Sequence, residues 1–130
     1  MKILLAEDDF VTRKFMSTFL SKYGECDVTV DGLEAVDAFM MALEDGEPYD
    51  LVCLDIMMPT MDGYQALMGI RNLEKERNIT GDKQAKIIMT TALNEEKNVK
   101  MAFDLGCTIY SGKPIDQERF EEALKRLGLI

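Results

Sequence analysis

The sequence predicts an α/β fold of three layers, a parallel β-sheet covered by helices on both faces. Three observations lead there. Apolar runs alternate with amphipathic segments five times along the 130 residues, the signature of strands joined by crossover helices. The first, third and fourth runs are nearly continuous aliphatic stretches, as central strands buried on both faces should be. Three runs also end in charge: Glu7-Asp8-Asp9 after Ile3-Leu4-Leu5-Ala6, Asp55 after Leu51-Val52-Cys53-Leu54, and Lys113-Pro114 after Ile109-Tyr110-Ser111-Gly112. A sheet of this class carries its chemistry at the carboxyl ends of its strands, and a carboxylate buried there needs a partner.

Lys2 to Ala6 reads as the first strand. Phe10 to Tyr23 reads as a helix stopped by Gly24, with Asp9 as its N-cap. Cys26 to Val30, rich in β-branched residues, is the second strand, and Gly32 to Glu44 a helix closed by Asp45-Gly46. Asp50 to Leu54 is the third strand and Gly63 to Glu76 the third helix; Met58-Pro59 and Asp62-Gly63 punctuate the turn between them. The polar stretch Asn78 to Gln84 leads into a fourth strand, Lys86 to Thr90, and a fourth helix from about Asn94 to Asp104. Thr108 to Ser111 is the fifth strand, and Asp116 to Leu127 the last helix. With no repeat or linker, residues 1–130 read as a single domain without an output domain.

The totals narrow the function. A net charge of −9 repels phosphate backbones and argues against direct contact with nucleic acid. The apolar runs are too short for membrane insertion, and Glu7-Asp8 interrupts a start that otherwise resembles a signal peptide. Cys26, Cys53 and Cys107, odd in number and without a histidine in the chain, read as small buried hydrophobes in a reducing cytoplasm. Three carboxylates and a lysine converging at one sheet edge would form a site for a divalent cation and a phosphoryl group.

Thr91-Ala92 follows the fourth strand, and Tyr110 precedes Lys113-Pro114 in the fifth. With Glu7-Asp8, Asp55, Met58-Pro59 and Asp62-Gly63, each in order at a strand's carboxyl end, the chain resembles a receiver domain of the two-component response-regulator family. The resemblance covers essentially the full length and is to a stand-alone, chemotaxis-receiver-like member. It implies a five-stranded sheet in the order 2-1-3-4-5, the flavodoxin-like topology.

It also implies roles. Asp55 is expected to be the nucleophile that accepts a phosphoryl group as an aspartyl phosphate. Repulsion between a carboxylate and a phosphoryl anion calls for a divalent cation, Mg2+ or Mn2+. Asp8 and Asp55 are the expected direct ligands, with Glu7 acting through water and the Met57 backbone carbonyl completing the set. Lys113 is expected to pair with Asp55 and then with a phosphoryl oxygen, aimed inward by a cis Lys113-Pro114 bond. Thr91 is expected to offer a hydroxyl to the phosphoryl group; it is preferred over Thr90 because Ala92 leaves room beside it. Phosphorylation would draw Thr91 inward and let Tyr110 rotate, altering an output face that includes Lys97, Lys100 and Met101.

Two positions that tune hydrolysis in the family are Met57 and Leu93 here. Neither can orient a water, so a long-lived phosphoryl group is expected. On the first helix, Met16, Leu20 and Tyr23 make one apolar row and Val11, Phe15 and Phe19 a second. Phe15 is expected to be exposed near the acidic cluster, an anchor for a docking partner. The expected function is a phosphorylation-dependent switch, not an enzyme beyond its own phosphorylation and slow dephosphorylation. Its donor would be a sensor histidine kinase or a histidine phosphotransfer protein, and its signal would pass to a downstream protein target. The chain is expected to be a monomer, able to dimerise when phosphorylated.

Three rivals remain at this point. An Asp-nucleophile phosphatase or phosphotransferase of the haloacid-dehalogenase type wants an acid two residues after the nucleophile, where this chain has Met57. A flavodoxin-like electron carrier wants a Ser/Thr/Gly-rich loop where Glu7-Asp8-Asp9 stands. A receiver-like binding module that is never phosphorylated stays open.

Overall fold

A computed structural model describes residues 1–92 and 96–130, with side chains in the second segment from Asn98 onward. The elements follow the order β1 (Lys2–Ala6), α1 (Phe10–Leu20), β2 (Glu25–Thr29), α2 (Gly32–Glu44), β3 (Leu51–Asp55), α3 (Gly63–Glu76), β4 (Lys86–Thr91), α4 (Glu96–Asp104), β5 (Ile109–Gly112) and α5 (Gln117–Arg126). A short 3-10 turn at Gly81–Lys83 precedes β4. All strand pairs are parallel and the sheet runs β2-β1-β3-β4-β5, the expected order.

Alternation along each strand feeds two cores. Ile3, Leu5, Cys53 and Ile88 pack against Met16, Phe19 and Leu20 of α1 and Phe120 and Leu124 of α5. Leu4, Ala6, Val52, Leu54, Ile87 and Met89 pack on the other face, against Phe39 of α2, Leu67 and Ile70 of α3 and Ala102 of α4. Each buried side chain of leucine size contributes roughly 1.5–3 kcal/mol, so strands apolar on both sides settle in the middle of the sheet. The helices enter through acidic caps. Asp9, Asp31 and Asp116 accept N–H groups from the first turns of α1, α2 and α5, while Asp62 and Gln65 form a reciprocal capping box on α3.

Several boundaries move. The first helix ends at Leu20 rather than Tyr23. Residues 21–23 tighten into a turn in which the Tyr23 N–H bonds the Leu20 carbonyl at 2.9 Å. Gly24 then passes so close to the Met1 carbonyl that an added Cβ would lie 2.0 Å from it. The second strand is Glu25–Thr29 and the third Leu51–Asp55, each one residue from the expected span. The fourth and fifth continue to Thr91 and Gly112, because the ladder pairs Asp55 with Thr90 and Thr91 with Gly112. The expected fourth-helix start at Asn94 lies outside the described residues. No helix among the described residues is long and apolar enough to cross a membrane.

Candidate functional site

The ladder brings the strand ends together. Ala6 pairs with Leu54, Asp55 with Thr90 and Thr91 with Gly112, so Glu7, Asp55 and Lys113 leave the sheet at one edge. Carboxylate oxygens of Glu7, Asp8 and Asp55 lie within 4.8 Å of one another. Glu7 and Asp55 are 1% and 4% exposed, whereas Asp8 faces solvent. Lys113 Nζ stands 2.5 Å from Glu7 Oε1 and 3.3 Å from Asp55 Oδ1. The expected lysine–acceptor pairing is therefore present, but the tighter partner is Glu7. The Lys113–Pro114 bond is cis.

Crowding sets the electrostatics. Burial, then the Glu7 charge, pushes the Asp55 carboxyl up to about 7, with Lys113 opposing them. Burial alone would lower the Lys113 ammonium, but the hydrogen bond to Glu7 and the two carboxylate charges outweigh it and hold Lys113 above the usual lysine range. An oxygen-only donor set with excess negative charge fits a hard divalent cation such as Mg2+. Asp8 offers an open carboxylate, and the Met57 carbonyl accepts no hydrogen bond among the described residues. The Met57 side chain is 65% exposed beside Asp8 and Pro59.

The backbone around the cluster is pinned. The Glu7 N–H bonds the Thr29 carbonyl at 3.1 Å, and Arg13 Nη1 donates to the carbonyls of Glu7 and Asp8. After Asp55, the Ile56 N–H bonds the Thr90 carbonyl at 3.2 Å and the Gly63 N–H bonds the Ile56 carbonyl at 2.9 Å. A Cβ on Gly63 would lie 2.3 Å from the Asp55 carbonyl oxygen, so only glycine lets α3 begin against the end of β3. Between them Thr60 adopts a φ of +67°, a left-handed conformation that a β-branched residue rarely takes.

The remaining expected residues fall into place unevenly. Thr91 is 1% exposed at the end of β4, and its carbonyl accepts the Lys113 N–H at 2.8 Å. Thr90, its rival, turns its hydroxyl to the Leu54 carbonyl at 3.5 Å. Tyr110 is half-buried against the core beneath α4. Lys100 and Met101 are exposed on α4, while Leu93 and the Lys97 side chain lie outside the described residues.

Phe15 is 39% exposed, as expected, and so are Phe10 and Val11. Phe19, in the same row, is taken up by the core against Phe120, as its position allows. Phe15, Val11 and Thr12 form one wall of an apolar groove of about 280 Å³, with Lys113, Pro114 and Ile115 forming the other. Sequence reasoning missed Ile115; its only signal was a lone apolar residue between Pro114 and the cap Asp116.

Residues 3–125 match the model of the response regulator receiver domain. Probable histidine kinase 2 of Oryza sativa subsp. indica is 34% identical over 95% of this chain, which spans only 12% of that relative's length. Chemotaxis protein CheY of Treponema pallidum is 34% identical over 95% of this chain and 79% of its own length. A solved structure of the receiver domain of sensor histidine kinase PA1611 from Pseudomonas aeruginosa has magnesium coordinated in its active-site cleft. It superposes with a TM-score of 0.80 at 26% identity, covering 97% of this chain and 95% of that one.

Proposed function

The chain belongs to the response regulator receiver domain family, and from that premise we propose that Asp55 accepts a phosphoryl group from a phosphohistidine. The donor is a sensor histidine kinase or a histidine phosphotransfer protein, and the phosphorylated chain signals by protein contact or passes the group on. Receiver domains are signalling domains rather than conventional enzymes, and the chemistry asked of this chain is modest. An Asp55 oxygen forms a bond to phosphorus, the phosphorus–nitrogen bond breaks, and its electron pair leaves with the imidazole.

The observation that carries this reading is a carboxylate 4% exposed at a strand end, with an open carboxylate and a lysine at its side. A buried carboxyl pushed up to about 7 is a poor nucleophile until positive charge offsets its neighbours. Asp8, Asp55 and the Met57 carbonyl would hold Mg2+, as the PA1611 receiver holds magnesium in its cleft, with Glu7 adding charge nearby. The ion, when bound, supplies charge neutralisation for the acceptor and the incoming phosphoryl oxygens. Lys113 supplies a second fixed positive charge to the transferred group, Thr91 a hydroxyl, and Tyr110 the responsive aromatic ring. The groove at Phe15 opens beside Lys113 and suits an apolar helix face of the donor.

The test is direct. Incubation with Mg2+ and a small phosphodonor should add one phosphoryl mass to the intact chain, and Asp55→Asn should abolish the addition. Addition that persists in Asp55→Asn would remove the acceptor role.

A further inference from the structure

Glu7 carries more contacts than a residue held in reserve for a cation would need. Its carboxylate is 1% exposed and both oxygens are engaged: Oε1 accepts from Lys113 at 2.5 Å and Oε2 from the Asp9 backbone N–H at 3.1 Å. Its own backbone is tied to Thr29 and to Arg13. Asp8, next in the chain, faces solvent, and its carboxylate has no hydrogen bond or ion pair among the described residues. The two acids differ in task. Lys113, meanwhile, lies 3.3 Å from Asp55, beyond the roughly 2.7–2.9 Å of a charge-assisted hydrogen bond.

We propose that Glu7 is a positioning residue for Lys113: it anchors the ammonium beside Asp55 while leaving the Asp55 oxygens open to a cation and a phosphoryl group. The proposal deepens the acceptor reading and takes its functional meaning from it. The physical need is plain. An ammonium on a flexible four-carbon stem, set against a buried carboxylate with nothing else to hold it, closes from a looser ion pair such as the 3.3 Å seen here to direct hydrogen-bonding distance. Such a pair would occupy the oxygen that must attack phosphorus. A second buried carboxylate, fixed by its loop, takes the ammonium instead and keeps its charge within reach.

The test uses the full-length, unphosphorylated chain labelled with 15N-lysine, whose ammonium signals are observed by NMR. One protected signal, identified by its loss in Lys113→Arg, should survive in Asp55→Asn and under saturating Mg2+. In Glu7→Gln its hydrogen exchange should quicken by about tenfold or more, the scale of one lost charge-assisted bond, and Glu7→Asp should fall between the two. A signal kept in Glu7→Gln but lost in Asp55→Asn would overturn the proposal. Loss under Mg2+ would overturn it too, since a Glu7 that ligates the cation must release the lysine. If circular dichroism shows Glu7→Gln unfolded, Glu7→Asp decides, with wild-type protection counting against the proposal. None of these readouts needs phosphoryl transfer, so a failed mass addition would remove the acceptor reading and leave the Lys113 anchor standing.

Discussion

Asp55→Asn should make the cation-free protein more stable, and the gain should depend on pH. In the folded chain the Asp55 carboxyl is pushed from 3.8 to about 7, first by burial and then by the Glu7 charge, against the pull of Lys113. The sign follows from proton binding. With its folded value raised, the native state holds a proton that the unfolded chain has already released. Stability from the neutral form is fully present below about pH 4 and is lost as pH climbs toward about 7. The difference of 7 − 3.8, about 3 units at 1.36 kcal/mol each, caps that loss at roughly 4 kcal/mol. The Glu7 and Lys113 charges act on Asp55 together and their interactions with it are shared, so about 2 kcal/mol is the working figure. Asparagine keeps the shape and removes the charge, and Lys113 keeps its closer partner at 2.5 Å. With no tryptophan in the chain, urea unfolding in chelator is best followed by far-ultraviolet circular dichroism. The variant should exceed the wild type by about 2 kcal/mol at neutral pH, with the gap closing toward pH 4. Mg2+ at about 100 times its dissociation constant should stabilise the wild type by about 2.7 kcal/mol and the variant by less. A variant less stable than wild type at neutral pH in chelator, or a gap indifferent to acid, would refute the account of a crowded, charge-strained site.

Three further outcomes test other parts of the molecule. Glu74 is 1% exposed and accepts hydrogen bonds from Arg71 and from the Ala85 N–H, both at 2.7 Å; Glu74→Ala should cost about 3 kcal/mol in urea unfolding because it leaves the buried Ala85 N–H without its acceptor and Arg71 without its charge partner. Thr60→Gly relieves the positive φ of +67°, and after the entropy cost of glycine it should raise stability by about 1 kcal/mol in the same assay. Phe15→Ala should slow phosphoryl transfer from a cognate protein donor by about tenfold or more and leave labelling by a small phosphodonor unchanged; equal loss in both assays would remove the docking role.

What the sequence made legible follows burial. β1, β3 and β4 are apolar on both sides, so Ile3–Ala6, Leu51–Leu54 and Ile87–Met89 announced themselves as central strands. β2 lies at the sheet edge with Glu25 and Val28 exposed. There a shift of one residue changes little in the local pattern, and its bounds slipped accordingly. The strand-end residues could be found for the same reason as the strands: a carboxylate or lysine that ends an aliphatic run has few places to go except the sheet edge. The end of α1 could not be found that way. Tyr23 continues the apolar spacing, yet the helix ends at Leu20 and residues 21–23 turn so that Gly24 can pass close to the Met1 carbonyl.

The choice Lys113 makes between two carboxylates had no sequence signal at all, because it depends on where segments 106 residues apart come to rest within an ångström. Once placed, however, the residue type at position 7 acquires a reason. The Glu7 backbone is fixed by Thr29 and Arg13, so reach must come from the side chain, and glutamate is one methylene longer than aspartate. That extra length helps its carboxylate at the end of β1 reach the ammonium just past the end of β5, 2.5 Å away. Shortening it would draw the anchor away from Lys113 and leave Asp55 as the nearest negative charge. On the proposed reading, the freedom of Asp55 to react would rest on a neighbour that holds Lys113 at 3.3 Å from it.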